Sequence, residues 1–129
     1  MNTLIVTIIV AVAALILFWQ WRVLRQAKRC EGMPTPDTSA VDGGVDTGKR
    51  VYFFHAAHCG PCKAITPLVD QLQQEFPNLI KVDVAENIAL AQSFGIAATP
   101  SFILVQDEVI KEVKLGGVSA SWLRERLST

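Results

Sequence analysis

From Asn2 to Trp21 the chain reads NTLIVTIIVAVAALILFWQW, an unbroken run without a charged side chain. A helix over such a run rises about 1.5 Å per residue and covers the roughly 30 Å of a bilayer's hydrocarbon, so one transmembrane helix is predicted here. The pattern then collapses. Glu31 to Gly48, EGMPTPDTSAVDGGVDTG, holds two prolines, four glycines and four carboxylates with almost no large apolar side chain. Such a stretch buries too little surface to offset the entropy of ordering it, and it is expected to be a flexible tether with a reach of at most ~60 Å.

From Lys49 onward the periodicity becomes that of a folded domain. RVYFFHA is an apolar, aromatic run of strand length, and CGPCKAITPLVDQLQQEF repeats Ile65, Leu68, Val69, Leu72 and Phe76 at helical spacing. NLIKVDV reads as a strand, NIALAQSFG as a short helix closed by Gly95, and SFILVQ and VIKEVKL as strands joined by a tight turn at Asp107 and Glu108. After the Gly116-Gly117 break, SASWLRERL reads as a last helix with Ser119 as its N-cap. The order βαβαββα predicts an α/β fold. Its first two strands are parallel, its last two form an antiparallel hairpin, and helices cover the faces of a mixed four-stranded sheet. The chain thus divides into an anchor with its basic flank over residues 1–29, an acidic Pro/Gly linker over 30–48 and one folded domain over 49–129.

Composition and charge bear mainly on the anchor. An apolar fraction of 50% is high for a chain of 129 residues, and the excess lies in the first run. A cleaved signal peptide is the rival reading; it requires a basic leader, a shorter apolar core and a small-residue cleavage site, none of which is convincing here. Phe18, Trp19 and Trp21 instead form an aromatic belt, followed at once by Arg22, Arg25, Lys28 and Arg29. Those cations favour a domain that faces the cytoplasm, with an export-side domain as the alternative. Past Cys30 there are eight basic and twelve acidic residues, a balance that offers nucleic acid no basic surface.

The chemistry concentrates in Cys59-Gly60-Pro61-Cys62, between a predicted strand and a predicted helix. Helix N-terminal amides carry partial positive charge, so a sulfur anion at Cys59 is stabilised and its pKa falls. Two intervening residues bring the sulfur of Cys62 within bonding distance. Cys62, one turn into the helix, is then able to attack a mixed disulfide on Cys59 and release the reduced substrate, leaving a Cys59–Cys62 disulfide. Gly60 leaves room for a partner's backbone, and Pro61 suits the first turn, where a missing N–H costs nothing. Alone, Cys-x-x-Cys is a weak signal shared with zinc sites; between a strand and a helix of a βαβ unit it points to redox chemistry.

With these residues in place, the region from about Arg50 to Leu127 resembles the thioredoxin family, whose active-site motif CGPCK stands here unaltered. Pro67, five residues after Cys62, matches the kink of that family's active-site helix, ATPSFILV matches its cis-proline segment, and Gly116 falls in register. The resemblance implies a cis Thr99-Pro100 bond beside the dithiol, with the backbone at Thr99 free to bind a substrate peptide as an added strand. It also implies disulfide-containing protein substrates, an electron-donor reductase or membrane thiol donor, a monomer, and no organic cofactor or metal.

Two departures stand out. Where the family has a buried Asp, six residues before the first Cys, this chain has Phe53, and where it has a Trp, this chain has His58. The lost acid removes the obvious base for Cys62. Lys81 matches the Lys that faces that acid and is the candidate for assisting proton transfer, with Asp83 and His55 as fallbacks. A protonated His58 would favour the Cys59 thiolate and raise the reduction potential; as a plain exposed flank it would do neither.

Two other classes compete. His55, His58, Cys59 and Cys62 are all zinc or copper ligand types, although structural zinc sites usually draw on two separated pairs. A non-catalytic adaptor would keep the fold, but normally with one cysteine lost. Cys30 is expected to lie outside the fold, just past the membrane, where it is free, lipidated or paired with another chain.

Overall fold

The computed structural model describes residues 1–43 and 48–128. Helix α1 (Asn2–Lys28) and a one-turn helix α2 (Ser39–Asp42) precede β1 (Lys49–His55), α3 (Gly60–Glu75), β2 (Leu79–Asp83), α4 (Ile88–Ser93), β3 (Ser101–Gln106), β4 (Val109–Leu115) and α5 (Ala120–Leu127). The strands form one sheet in the order β2-β1-β3-β4. β1 pairs with β2 in parallel, from Val51 opposite Leu79 to His55 opposite Asp83, while the β1–β3 and β3–β4 pairs are antiparallel. This is the mixed four-stranded α/β sheet expected from the order of elements, and the thioredoxin-like arrangement that the family resemblance implied.

Burial explains why β1 reads as a continuous apolar run: it is an inner strand covered on both faces, and Arg50 through Phe54 are all buried. Pleating sends Val51 and Phe53 to one face and Tyr52 and Phe54 to the other. The first face packs on Ile65, Val69 and Leu72 of α3 and Leu123 and Leu127 of α5. The second packs on Ala91 and Phe94, in and just after α4, and on Ala27 of α1. At the β3–β4 turn, Asp107 and Glu108 both have positive φ, 53° and 61°, the backbone twist a two-residue hairpin needs. Asp tolerates that region but Glu does not favour it, and outside bonds support the turn: Asp107 N–H donates to the Gly48 carbonyl, and the Glu108 carbonyl accepts from Thr35 N–H.

The expected tether departs most from its prediction. Residues 44–47 of it lie outside the described residues, but residues 31–43 are packed on the domain. Gly32 N–H donates to the Ile110 carbonyl at 2.7 Å, Ile110 N–H to the Met33 carbonyl at 3.0 Å, and Val113 N–H to Glu31 Oε1 at 3.0 Å. Pro34 forms an isolated antiparallel bridge with Val109. The segment covers the edge of β4, whose amides would otherwise be left open. Further along, Asp42 is buried and its Oδ2 accepts from Thr38 Oγ1 at 2.6 Å and Arg50 Nη1 at 3.2 Å, with the Tyr52 hydroxyl at 2.8 Å. Composition predicted a mobile chain because a polar segment has little surface of its own to bury; here it satisfies strand amides and a buried arginine of another element instead. Cys30 is corrected with it: the thiol is half-buried against the second face, with its sulfur so near Gly95 that a Cβ there would lie 2.8 Å away.

Helix α1 is the one helix among the described residues that is long and apolar enough to cross a membrane, with a window of mean hydropathy 2.5 and none of that window buried by protein. Arg25 and Lys28 occupy its last turn, where cations complement the carbonyl end of the dipole. Only its final turns touch the domain, through Ala27, 3% exposed.

Candidate active site

Cys59 is the N-cap of α3, with extended backbone (φ −114°, ψ 106°), and Pro61 occupies the first turn. An N-cap side chain ordinarily supplies an oxygen to the free amides of the first turn. Here sulfur takes that place: Cys62 N–H donates to Cys59 Sγ at 3.2 Å. Cys59 and Cys62 are joined as a disulfide with Cα atoms 5.2 Å apart. The amide that caps the sulfur, together with the helix dipole behind it, favours negative charge on Cys59 Sγ when the pair is reduced. The two sulfurs are not equivalent, since Cys59 is 8% exposed and Cys62 only 2%, so a partner meets Cys59 first.

α3 carries Pro67 in its interior and nevertheless continues to Glu75. The ring removes one amide, and Thr66 Oγ1 donates to the Cys62 carbonyl at 2.7 Å, an extra bond in the turn just before the break.

Behind the disulfide the wall is apolar. Phe53, in the position where the family resemblance calls for an acid, is fully buried and stacks on Phe102 with centroids 4.8 Å apart; Trp122 meets Phe102 edge-on. Among the described residues, the buried charged side chains are Asp42 and Arg50, and their partner Tyr52 belongs to the opposite face. Lys81 lies opposite Phe53 on β2, but its ammonium is engaged by Asp70 of α3, with Nζ 2.6 Å from Oδ1. His55 and Asp83 face one another in register at the ends of β1 and β2, the His55 ring 5.4 Å from Phe53 and Asp83 Oδ1 accepting from Ala85 N–H. His58 is exposed, next to Cys59. Among the described residues no group of three or more His, Cys, Asp and Glu side chains is placed to hold a metal ion.

The Thr99-Pro100 bond is cis, and Pro100 is buried where the chain enters β3. The Pro100 carbonyl accepts from Gly116 N–H at 2.8 Å, which ties the proline segment to the end of β4; Gly116 has φ +93°, a conformation that favours glycine. Gly60 stands in open space, so backbone can approach the disulfide there without meeting a side chain.

A family model described as thioredoxin matches residues 44–129. Among curated relatives, an H-type thioredoxin of Fagopyrum esculentum is 38% identical over 65 residues, covering 48% of this chain and 56% of its own length. A thioredoxin of Bacillus subtilis is 35% identical over 66 residues, covering 49% of this chain and 64% of its own. The chain therefore spans less than two thirds of the length of these two relatives. An Aspergillus fumigatus thioredoxin is 33% identical over 87 residues, with 66% of this chain and 81% of the relative covered. Among solved structures, a point-mutant thioredoxin from Halobacterium salinarum superposes with a TM-score of 0.61 at 27% identity, over 74% of this chain and 89% of the other. Fasciola hepatica thioredoxin gives 0.55 at 33%, over 62% and 78%.

Proposed function

The chain belongs to the thioredoxin family, and from that premise we propose that it is a membrane-anchored thiol–disulfide oxidoreductase that reduces protein disulfides through Cys59 and Cys62. The observation that carries this reading is the capped sulfur: Cys59 Sγ sits on the free amide of Cys62 at the start of α3, with its partner sulfur one turn behind.

In the reduced state, the Cys59 thiolate attacks a sulfur of the substrate disulfide. A mixed disulfide forms and one substrate thiolate leaves. Cys62 then gives up its proton and attacks Cys59 Sγ, so that the substrate departs with two thiols and the Cys59–Cys62 disulfide closes. The substrate gains two electrons and two protons, and a thiol donor restores the dithiol. Gly60 and the backbone at Thr99 and Pro100 serve the substrate chain, which lies along the site as a short added strand. His58, exposed beside the nucleophile, is assigned the tuning of its charge, and Lys81, held by Asp70, at most an indirect part in proton transfer.

Helix α1 is the anchor, supported by its length, its exposed apolar surface and the aromatic and cationic residues at its end. With the domain on the cytoplasmic side, as those cations favour, a reductase recharges the pair; on the export side the donor is a membrane thiol. A reporter fused to the C-terminus and active on one side only decides between them.

Trapping tests the chemistry. A Cys62→Ser variant should accumulate mixed disulfides with a peptide disulfide through Cys59, reversible by dithiothreitol, and a Cys59→Ser variant should not. Absence of adducts with Cys62→Ser, in a protein whose fold is intact by circular dichroism, overturns the assignment.

A further inference from the structure

The route by which α1 joins the domain fixes which end of the sheet lies nearest the membrane. Residues 31–35 run antiparallel to β4: Thr35 bonds to Glu108, Pro34 bridges Val109, Gly32 and Met33 bond to Ile110, and Glu31 reaches Val113. Moving back along the chain toward α1 therefore means moving toward Leu115. Leu115 pairs with Ser101, Ser101 pairs with Phe54, and Gly116 bonds to the Pro100 carbonyl. This is the end of the sheet where β1 delivers the chain to Cys59.

Cys30 agrees with that route. Its sulfur packs on Gly95, in the loop that leads from α4 to Pro100. Residues 1–22 are exposed throughout, so α1 leaves the domain at this end without folding back over the sheet. The clasp of Asp42 with Arg50 and Tyr52 holds the strap down at its far end.

Charge is arranged to match. The domain is acidic on balance, yet no Asp or Glu occurs from Ala56 to Val69, and no charged residue of either sign from Asn87 to Gln106, the segment that contains the cis-proline loop. Asp83, the last residue of β2 and in register with His55, and Glu86 just after it lie at this same end, on the strand farthest from β4 in the sheet. Those two segments, without carboxylates, meet no like-charge repulsion from anionic headgroups, and Arg22, Arg25, Lys28 and Arg29 lie between the domain and the apolar run of α1, the Arg25 guanidinium 4.0 Å above the Trp21 ring.

We propose that the dithiol end of the domain faces the bilayer, and that its exchange partner is a cysteine pair held in the membrane or close to its surface. The stretch from Arg22 to Lys28 spans only ~10 Å at helical rise, which sets the gap available to that partner. Electrons flow by the same dithiol exchange as above, whichever side of the membrane the domain occupies. The orientation rests on α1 being a membrane anchor, and the experiment separates the two.

The full chain is reconstituted into vesicles carrying a nickel-chelating lipid and floated on a density gradient. Spin labels are placed singly at Lys63→Cys, near the dithiol, or Gln106→Cys, at the opposite end of β3, in a background with the native cysteines changed to serine. Floating protein with relaxation several-fold stronger at position 63 is the expected result. Equal relaxation at both positions, or stronger relaxation at 106, in protein that floats overturns the orientation alone; protein that does not float overturns the anchor and the orientation together. Unlabelled wild type gives a second reading that does not depend on the cysteine-free variant. A disulfide peptide coupled to a lipid headgroup through a short linker should be reduced at least as fast as the same peptide on a long one. A short-linker rate below the long-linker rate overturns the proposal, because a linker unable to reach a site on the far side of the domain loses the gain from tethering.

Discussion

The two faces of the sheet differ in how they use charge. On the dithiol face, Phe53 and Phe102 stack behind the sulfurs and the interior is apolar. On the other face, one residue along the same strand in either direction from Val51, Arg50 and Tyr52 converge on Asp42, a carboxylate that is 1% exposed and comes from the segment after α1. β1 thus presents an aromatic side chain to the sulfurs and spends its buried polar contacts on fastening the strap. The difference teaches that, among the described residues, the buried acid suggested by the family resemblance has no counterpart beside the sulfurs, while a buried acid with a mechanical task stands on the reverse side of the sheet.

The most severe way to break the comparison is to place an acid on the dithiol face. Phe53→Asp removes a fully buried ring stacked on Phe102 and puts a carboxyl group in its place, at a cost on the order of 5 kcal/mol, a large part of the stability of a small domain. Because burial raises that carboxyl's pKa, the folded state holds its proton more tightly than the unfolded chain does. The loss should therefore be smaller in acid than at neutral pH, and urea unfolding at both checks it. An equal loss at both would mean that the new side chain reaches water and that the wall is less closed than its burial indicates.

Next in size is the clasp. Asp42→Ala removes the buried carboxylate that Arg50, 6% exposed at its side chain, meets through Nη1, and should cost roughly 3 kcal/mol by denaturant unfolding. Under conditions where the variant is folded, its reduction of a soluble disulfide peptide should match wild type, since the clasp faces away from the sulfurs. A fall in that rate would show that the two faces are coupled.

The smallest effect is spectroscopic. Tyr52, the single tyrosine of the chain, has its hydroxyl pKa raised well above the ordinary value of 10, first by burial, with the carboxylate of Asp42 adding to the shift against the opposing Thr38 contact. A raised pKa in the folded state stabilises the fold fully below pH 10, and that contribution is lost as pH rises beyond it. Tyrosinate absorbance should thus be absent at pH 10 to 11 in folded protein and appear together with unfolding. Ordinary titration near 10 in folded protein would show that the hydroxyl is in contact with solvent.

The cis bond at Thr99-Pro100 was legible only through the family resemblance; the redox pair, the hairpin turn and the succession of strands and helices were legible in the chain itself. Each depends on local chemistry: Cys59 and Cys62 are joined by a fixed three-residue spacing, the Asp107 and Glu108 turn by two positions, and α3 by the recurrence of Ile65, Val69 and Leu72 on one side of a helix. So was the absence of an acid at Phe53, read from identity alone. The strap was not legible. Glu31, Gly32 and Met33 look like coil because their partners, Val113 and Ile110, lie about eighty residues away, and Asp42 looks like a solvated carboxylate until Arg50 and Tyr52 enclose it. Nor could spacing tell that Lys81 would be engaged by Asp70, a contact set by the packing of α3 on β2. Short-range spacing and side-chain identity determined the chemistry this chain carries; only the closing of the sheet decided what its polar segment binds and which end of the domain lies next to α1, because hydrogen bonds between distant segments have no signature in either segment alone.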